Sequence, residues 1–316
     1  MATSAEAGTD TATLPIGVPP GARLEETGCL FCSDGTPVEL VFNDPPLAVV
    51  RCTGCGLVFV SPRVAAEQMA DIYGESYWRS HAAKDYGYTD YRKDGPNWLR
   101  TYHRRVKVLR GRLAPGSRVL DVGCAAGFFL ELMKGEGFDV WGVELSAAIA
   151  EDARDRVGDD RIHVGTLEDA PYPERQFDLI SFWDVVEHLP DPVDALRRAR
   201  ALMKPEGLLV LETQNVESRF ARLMGRRWQH FKQAEHLWHF TPSTVVRLVE
   251  AAGFAPAKLT HRYAGKYVSL AFVVERAGRV HPRLADLMSP LSRLRWAPYV
   301  NLFDEMILLA QPASDR

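Results

Sequence analysis

The sequence predicts an α/β chain in which a doubly wound, mostly parallel sheet follows a small cysteine-bearing module. Three observations carry this. From about residue 117, apolar strand-like runs alternate with helical stretches, the pattern of strands joined by crossover helices. A glycine-bearing turn, Asp121-Val122-Gly123-Cys124-Ala125-Ala126-Gly127, falls where the first of these strands passes into a helix. Four of the five cysteines stand in two pairs, Cys29-x2-Cys32 and Cys52-x2-Cys55, with 19 residues between the pairs.

Residues 1–22, rich in Ala, Thr, Gly and Pro, read as a disordered tail without the Lys/Arg-led apolar core of a secretory signal. Residues 23–63 form the cysteine module. Its stretches 38–42 and 47–51 are strand-like and flank the turn Asn43-Asp44-Pro45-Pro46, so a hairpin brings the two cysteine knuckles together. Residues 64–113 read as a polar, aromatic-rich helical connector. The α/β domain is expected over 114–316. Its strands fall at 118–122, 140–144, 161–165, 177–182 and 207–213, with helices at 128–136, 147–157 and 191–203. Asp191-Pro192 opens the last of these helices. A helix at 242–253 closed by Gly253, a strand near 256–263 and a final strand at 302–311 complete the domain, with an insertion at 265–300.

The charge balance of -3 gives no global field for nucleic acid or anionic lipid. No apolar run approaches the ~18 residues of a membrane span. On these features the chain is expected in the cytoplasm, where thiols stay reduced and the cysteines are expected as ligands rather than disulfides. Four thiolates in two Cys-x2-Cys pairs, Cys29, Cys32, Cys52 and Cys55, can surround one Zn2+ tetrahedrally. Four protein ligands close the site, so the ion would be structural in a segment too small to build its own core.

In the turn 121–127, Gly123 permits the tight bend and Gly127 lets the helix start approach a ligand. Cys124 reads as a small buried residue, since no neighbouring cation would lower its pKa. Glu144 ends the next strand, 17 residues beyond Gly127, where a carboxylate can accept from both hydroxyls of a ribose. A turn and a distant acid would suit a nicotinamide cofactor equally well. Against that stand the missing G-x-G-x-x-G spacing, Asp121 closing the first strand, and Asp184-Val185-Val186-Glu187-His188 after the fourth.

Residues 118–214 resemble the S-adenosylmethionine-dependent methyltransferase family in order and spacing. The matching pieces are Val119–Gly127, Gly142-Val143-Glu144, Phe177-Asp178-Leu179-Ile180, Val186–Pro192 and Lys204–Leu208. The resemblance implies a Rossmann-like sheet with an antiparallel last strand. It implies that S-adenosyl-L-methionine lies with its methionine part on Asp121, Gly123, Cys124, Ala125 and Gly127, and its ribose on Glu144 and Leu145. By the same resemblance Thr166, Leu167 and Glu168 border the adenine, and Trp183 and Asp184 line the sulfonium end. Ala125 stands where many members carry glycine.

The cysteine pairs, the run 51–63 and Ile72–Trp78 resemble a bacterial subgroup of these enzymes with an N-terminal zinc module, which includes sugar C-methyltransferases acting on nucleotide-linked deoxysugars. That resemblance implies a small-molecule acceptor, a nucleotide-linked sugar or other glycan or natural-product intermediate, methylated at carbon or oxygen. It also implies an acid–histidine pair at Glu235-His236. Histidine titrates near neutrality, so His188 and His236 are the candidate bases, and Tyr77 with Trp78 could close over the acceptor. Trp228, His230, Trp238 and Phe240 form an aromatic cluster that could stack on a sugar or base, or cap the sheet end; His239 is expected half-buried. Arg276, Arg279, Arg283, Arg293 and Arg295 give the insertion a basic face, either solvated or set against a membrane surface.

Two rival readings remain open in the sequence. A zinc module ahead of a methyltransferase domain also suits an RNA methyltransferase. However, Arg23, Arg51 and Arg63 are opposed by Glu25, Glu26, Asp34, Glu39 and Asp44, where a phosphate-binding ribbon should be clearly positive. The Asn-Pro-Pro-aromatic signature of amino-group methylation is absent, replaced by Trp183-Asp184-Val185-Val186. The other rival is a non-catalytic partner protein that binds zinc and the cofactor.

Overall fold

The structure is a computed structural model describing residues 18–19, 21–79, 90–280, 282–294 and 296–313. The expected tail lies mostly outside the described residues, but its last part is not free: Val18 is buried against the main core.

The first strands are β1 (Leu24–Glu25), β2 (Val38–Asp44), β3 (Leu47–Cys52), β4 (Val58–Val60) and β5 (Arg63–Val64). Strands β2, β3 and β4 form an antiparallel meander, and β1 pairs with β5. Short helices α1 (Met69–Ile72) and α2 (Glu75–Trp78) and the longer α3 (Gly95–Arg105) lead into the sheet. They do more than connect. Tyr77, Trp78, Tyr91 and Tyr102 are buried, and the Trp78 indole donates to Ser146 Oγ at 3.0 Å.

Next come β6 (Arg118–Val122), α4 (Phe128–Gly135), β7 (Asp139–Glu144), α5 (Ala147–Val157), β8 (Ile162–Val164), β9 (Phe177–Trp183), α6 (Pro192–Leu202) and β10 (Met203–Gln214). Strands β6 and β9 are buried along nearly their whole length, as central parallel strands covered on both faces must be. The Asp191 carboxylate accepts from the Val193 and Asp194 N–H groups and Pro192 opens α6, which explains its sharp start. After α7 (Arg219–Met224) and β11 (Trp238–His239), Thr241 and Thr244 form a reciprocal cap on α8 (Pro242–Ala251). Strand β12 (Phe254–Thr260) follows, then β13 (Lys266–Tyr267), α9 (Leu270–Val280), α10 (Pro282–Met288), β14 (Tyr299–Val300) and β15 (Glu305–Pro312).

Seven strands form the main sheet in the order β12-β15-β10-β9-β6-β7-β8, with β15 antiparallel to both neighbours. This is the Rossmann-like methyltransferase arrangement. The order reverses between β6 and β9, and a cleft opens at their carboxyl ends. In the insertion, β13 and β14 pair and bracket α9 and α10. Arg100 and Arg104 of α3 lie over the rings of Tyr267 and Tyr299, at 3.8 and 3.9 Å, and dock this ribbon.

The cysteine module is not a bead on a tether. Strand β11, contributed from far down the chain, adds to β4 with Trp238 opposite Phe59. Leu47, Val49 and Phe59 share one core with Phe182, Leu211 and Phe240. Of the arginines expected to form a basic face, Arg295 and the side chains of Arg276 and Arg279 lie outside the described residues; Arg283 and Arg293 are exposed.

Candidate active site

A cleft of about 1190 Å³ lies over the carboxyl ends of β6, β7 and β9. That exceeds the volume of one drug-sized ligand and suits a cofactor and an acceptor together. Its first wall is the turn after β6. Gly123 has φ +70° and a Cβ there would meet Val185 at 2.6 Å, so only glycine fits. Ala125 takes φ +47°, a left-handed conformation that its methyl group strains, and its N–H donates to Glu144 at 2.8 Å. The other Glu144 oxygen accepts from the Ser146 N–H. Burial pushes the Glu144 carboxyl up to about 6, although both backbone donors favour its ionised form.

Gly123, Ala125, Glu144, Leu145, Leu167, Glu168, Trp183 and Asp184 all line the cleft. Three of the expected contacts are not among the residues that line the cleft. The Asp121 side chain is buried away from the cleft and accepts from Ser181 Oγ at 2.6 Å; burial pushes its carboxyl up to about 8. Cys124 is buried behind the turn, its sulfur 2.8 Å from where a Cβ on Gly142 would stand. Gly127 packs on helix α5, where a Cβ would lie 2.9 Å from Ala153. All three shape the turn from behind.

The opposite wall gathers Tyr77, His188 and His236. The two imidazoles meet edge to face with centroids 4.6 Å apart, and one donor atom from each of Glu187, His188 and His236 lies within 4.8 Å of the others. His188 Nδ1 is engaged by the Tyr73 hydroxyl at 2.8 Å and the Glu235 carbonyl at 3.0 Å. Burial lowers His188 to about 4. His236 is also held well below the ordinary histidine value, by burial first and then by His188 and Lys232. Both rings are therefore neutral at pH 7. His236 Nδ1 has no hydrogen-bond partner among the described residues.

In the Glu235-His236 pair the two side chains are not hydrogen-bonded to each other. The Glu235 carboxylate instead accepts from the Tyr77 hydroxyl and the Lys232 ammonium, both at 3.0 Å. Successive residues project in different directions, so adjacency in sequence did not give contact. For the aromatic cluster the structure favours packing over stacking on an acceptor. Trp228, Trp238 and Phe240 are fully buried core, with the two indoles donating to Asp304 and the Leu189 carbonyl. His239 is likewise fully buried, and of this group only His230 reaches the cleft.

Sequence reasoning missed an ion network at the cleft floor. Asp184 lies 3.3 Å from Arg105 and 3.4 Å from Lys266; Arg105 also meets Glu212 at 2.6 Å, and Lys266 meets Glu305 at 2.7 Å. Burial would raise the Asp184 carboxyl, but Lys266 and Arg105 overcome this and hold it below its ordinary value. These residues come from α3, β10, β13 and β15, and no local motif announces them.

A sheet of this order, with a glycine turn and a strand-end acid facing one cleft, defines a class of enzyme that binds a nucleoside-bearing cofactor at the switch point. The methyltransferase domain family matches residues 91–259. The chain belongs to this family of S-adenosylmethionine-dependent methyltransferases. It is 31% identical over 151 residues to a ubiquinone biosynthesis O-methyltransferase of Cereibacter sphaeroides, covering 45% of this chain and 61% of that protein. It is 29% identical over 169 residues to the protein of the same name from Alkalilimnicola ehrlichii, covering 47% of this chain and 68% of that one. The match to the first of these thus spans less than two thirds of its length. Among solved structures it is similar in fold to the Burkholderia thailandensis 1,6-didemethyltoxoflavin-N1-methyltransferase, crystallised with 1,6-didemethyltoxoflavin and S-adenosylhomocysteine. That likeness has TM-score 0.51 at 16% identity, covering 86% of this chain and 98% of the other.

Proposed function

We propose that this chain transfers a methyl group from S-adenosylmethionine to a hydroxylated small-molecule acceptor held between the glycine turn and the His188–His236 wall. The observation that supports it is two imidazoles, His188 and His236, lining the same cleft as Glu144 and the Gly123 turn. Bound there, the cofactor supplies an electrophilic methyl. Gly123 and Ala125 leave room for its amino-acid part, and Glu144 accepts from its ribose hydroxyls. Trp183 and Asp184, anchored by Lys266 and Arg105, wall the sulfonium end. His236, one of the side chains lining the cleft, takes the acceptor's proton. Tyr77, tied to Glu235, borders the acceptor.

The zinc-module resemblance favours a nucleotide-linked sugar, and the named relatives favour oxygen as the methylated atom. RNA is disfavoured by the acidic balance of the cysteine module. We further propose a structural Zn2+ on Cys29, Cys32, Cys52 and Cys55. Their sulfurs lie within 4.8 Å of one another, near the ~3.8 Å that a tetrahedral ion with Zn–S about 2.3 Å requires.

The test is methyl turnover on two panels, nucleotide-linked sugars and hydroxylated aromatic rings, with His236→Asn and His188→Asn. His236→Asn should slow turnover by ~10²-fold with cofactor affinity unchanged. Loss at His188 alone would move the base to that ring. Full turnover in both variants would leave positioning as the source of rate. No turnover of either panel by the native enzyme would overturn the acceptor assignment.

A further inference from the structure

The insertion carries features that the cleft chemistry does not use. Among the described residues, seven of the twelve exposed large hydrophobic side chains fall between Leu284 and Phe303. Leu287 is 79% exposed, Leu294 55% and Trp296 63%. Leu284 and Leu287 stand one helical turn apart on α10, Leu291 on the 3-10 turn that follows, and Leu294 where that turn ends. Such leucines ordinarily pack against a core. Here the fold leaves them open to solvent.

The charge of this segment runs against that of the chain. Apart from Lys266, which is tied to Asp184 and Glu305, residues 267–300 hold five arginines against Glu275 and Asp286, a balance of +3 in a chain of -3. Exposed leucines and a tryptophan interleaved with arginines match the interface of an anionic bilayer, where apolar side chains enter the acyl boundary and guanidinium groups meet phosphates. No described helix is long and apolar enough to cross a membrane, so the contact would lie in the plane of the surface. The same segment walls the cleft: Val268, Phe272, Val273, Ala277 and Val300 are among the residues that line it.

We propose that α10 and the segment through Trp296 and Phe303 dock this chain on an anionic lipid surface, with the mouth of the cleft beside the bilayer. An acceptor carried on a lipid would then reach the cleft without crossing water. That consequence rests on the methyl-transfer reading; the docking itself does not.

The experiment is flotation of the full chain with vesicles of phosphatidylcholine alone and with phosphatidylglycerol added, at low and high salt, alongside cofactor binding by calorimetry and sedimentation velocity without lipid. Expected are binding at least tenfold stronger to the anionic vesicles, weakening with salt. A loss of tenfold or more is expected in Leu287→Glu and in Trp296→Glu, with cofactor affinity kept. Cofactor affinity shows that each variant is folded and reports on the methyl-transfer reading separately. Absence of vesicle binding, or native-level binding in both variants, would overturn the proposal. So would a dimer in the lipid-free chain that either substitution dissociates, which would assign the exposed leucines to a second copy.

Discussion

The Lys266 ammonium lies 2.7 Å from Glu305 and 3.4 Å from Asp184, bridging the antiparallel last strand to the residue that follows β9 at the cofactor wall. One lysine at the root of the insertion thus joins three elements distant in sequence. About a quarter of its side chain is exposed, so its worth falls between a surface pair and a fully buried one. Lys266→Met should lower stability by about 1–3 kcal/mol in urea denaturation and weaken cofactor binding as Asp184 loses an anchor. Native values in both measurements would show that Arg105 alone neutralises the cluster.

Glu144 makes cofactor affinity depend on pH. Its carboxyl titrates near 6, raised by burial. Below that value it gains a proton and loses acceptor capacity toward the ribose. Affinity should therefore fall about fourfold from pH 7.5 to 5.5, as the ionised fraction does. Glu144→Gln should bind more weakly throughout and lack this slope. Calorimetry at the two pH values reads the effect, and a flat native profile would remove Glu144 from ribose binding.

Asp121 gives a stability signature of the opposite sign. Raised to about 8 by burial, it stays protonated in the folded chain at pH 7, whereas the unfolded carboxyl ionises near 3.9. Between about pH 4 and 8 the folded state binds the extra proton, so this group's contribution to stability declines as pH rises. Asp121→Asn removes the decline. The variant should gain on the native chain by up to about 1.4 kcal/mol per pH unit across that window, measured by thermal or urea unfolding. A stability difference independent of pH would mean that Asp121 is ionised in the fold.

The cysteine module should not unfold alone. Because β11 pairs with β4 and the two parts share one core, loss of the metal site should spread. Elemental analysis should find one Zn2+ per chain, and Cys52→Ser should lower the single unfolding transition of the whole chain. Two separated calorimetric transitions, or a metal-free native protein, would contradict this.

The pieces legible in the sequence were those whose meaning is local. The cysteine knuckles, the Asp191-Pro192 helix start and the turn from Gly123 to Gly127 each depend on residues a few positions apart, where spacing dictates geometry. Within that turn the prediction faltered side chain by side chain. Asp121 and Cys124 lie in the right segment, but they pack against Ser181 and beneath Gly142, on the side away from the cleft. Aromatic content likewise marked Trp228, Trp238 and Phe240 without showing that they are core.

The sequence by itself determined the α/β alternation, the cofactor turn with its strand-end acid, and two cysteine pairs fit for one ion. These follow from periodicity and short spacing. Only the tertiary structure decided that Tyr77 reaches Glu235, that Arg105 and Lys266 converge on Asp184, and that β11, from far down the chain, adds to the sheet of the cysteine module. Those contacts join segments dozens to more than 150 residues apart, and the packing of strands and helices, not any local pattern, brings them together.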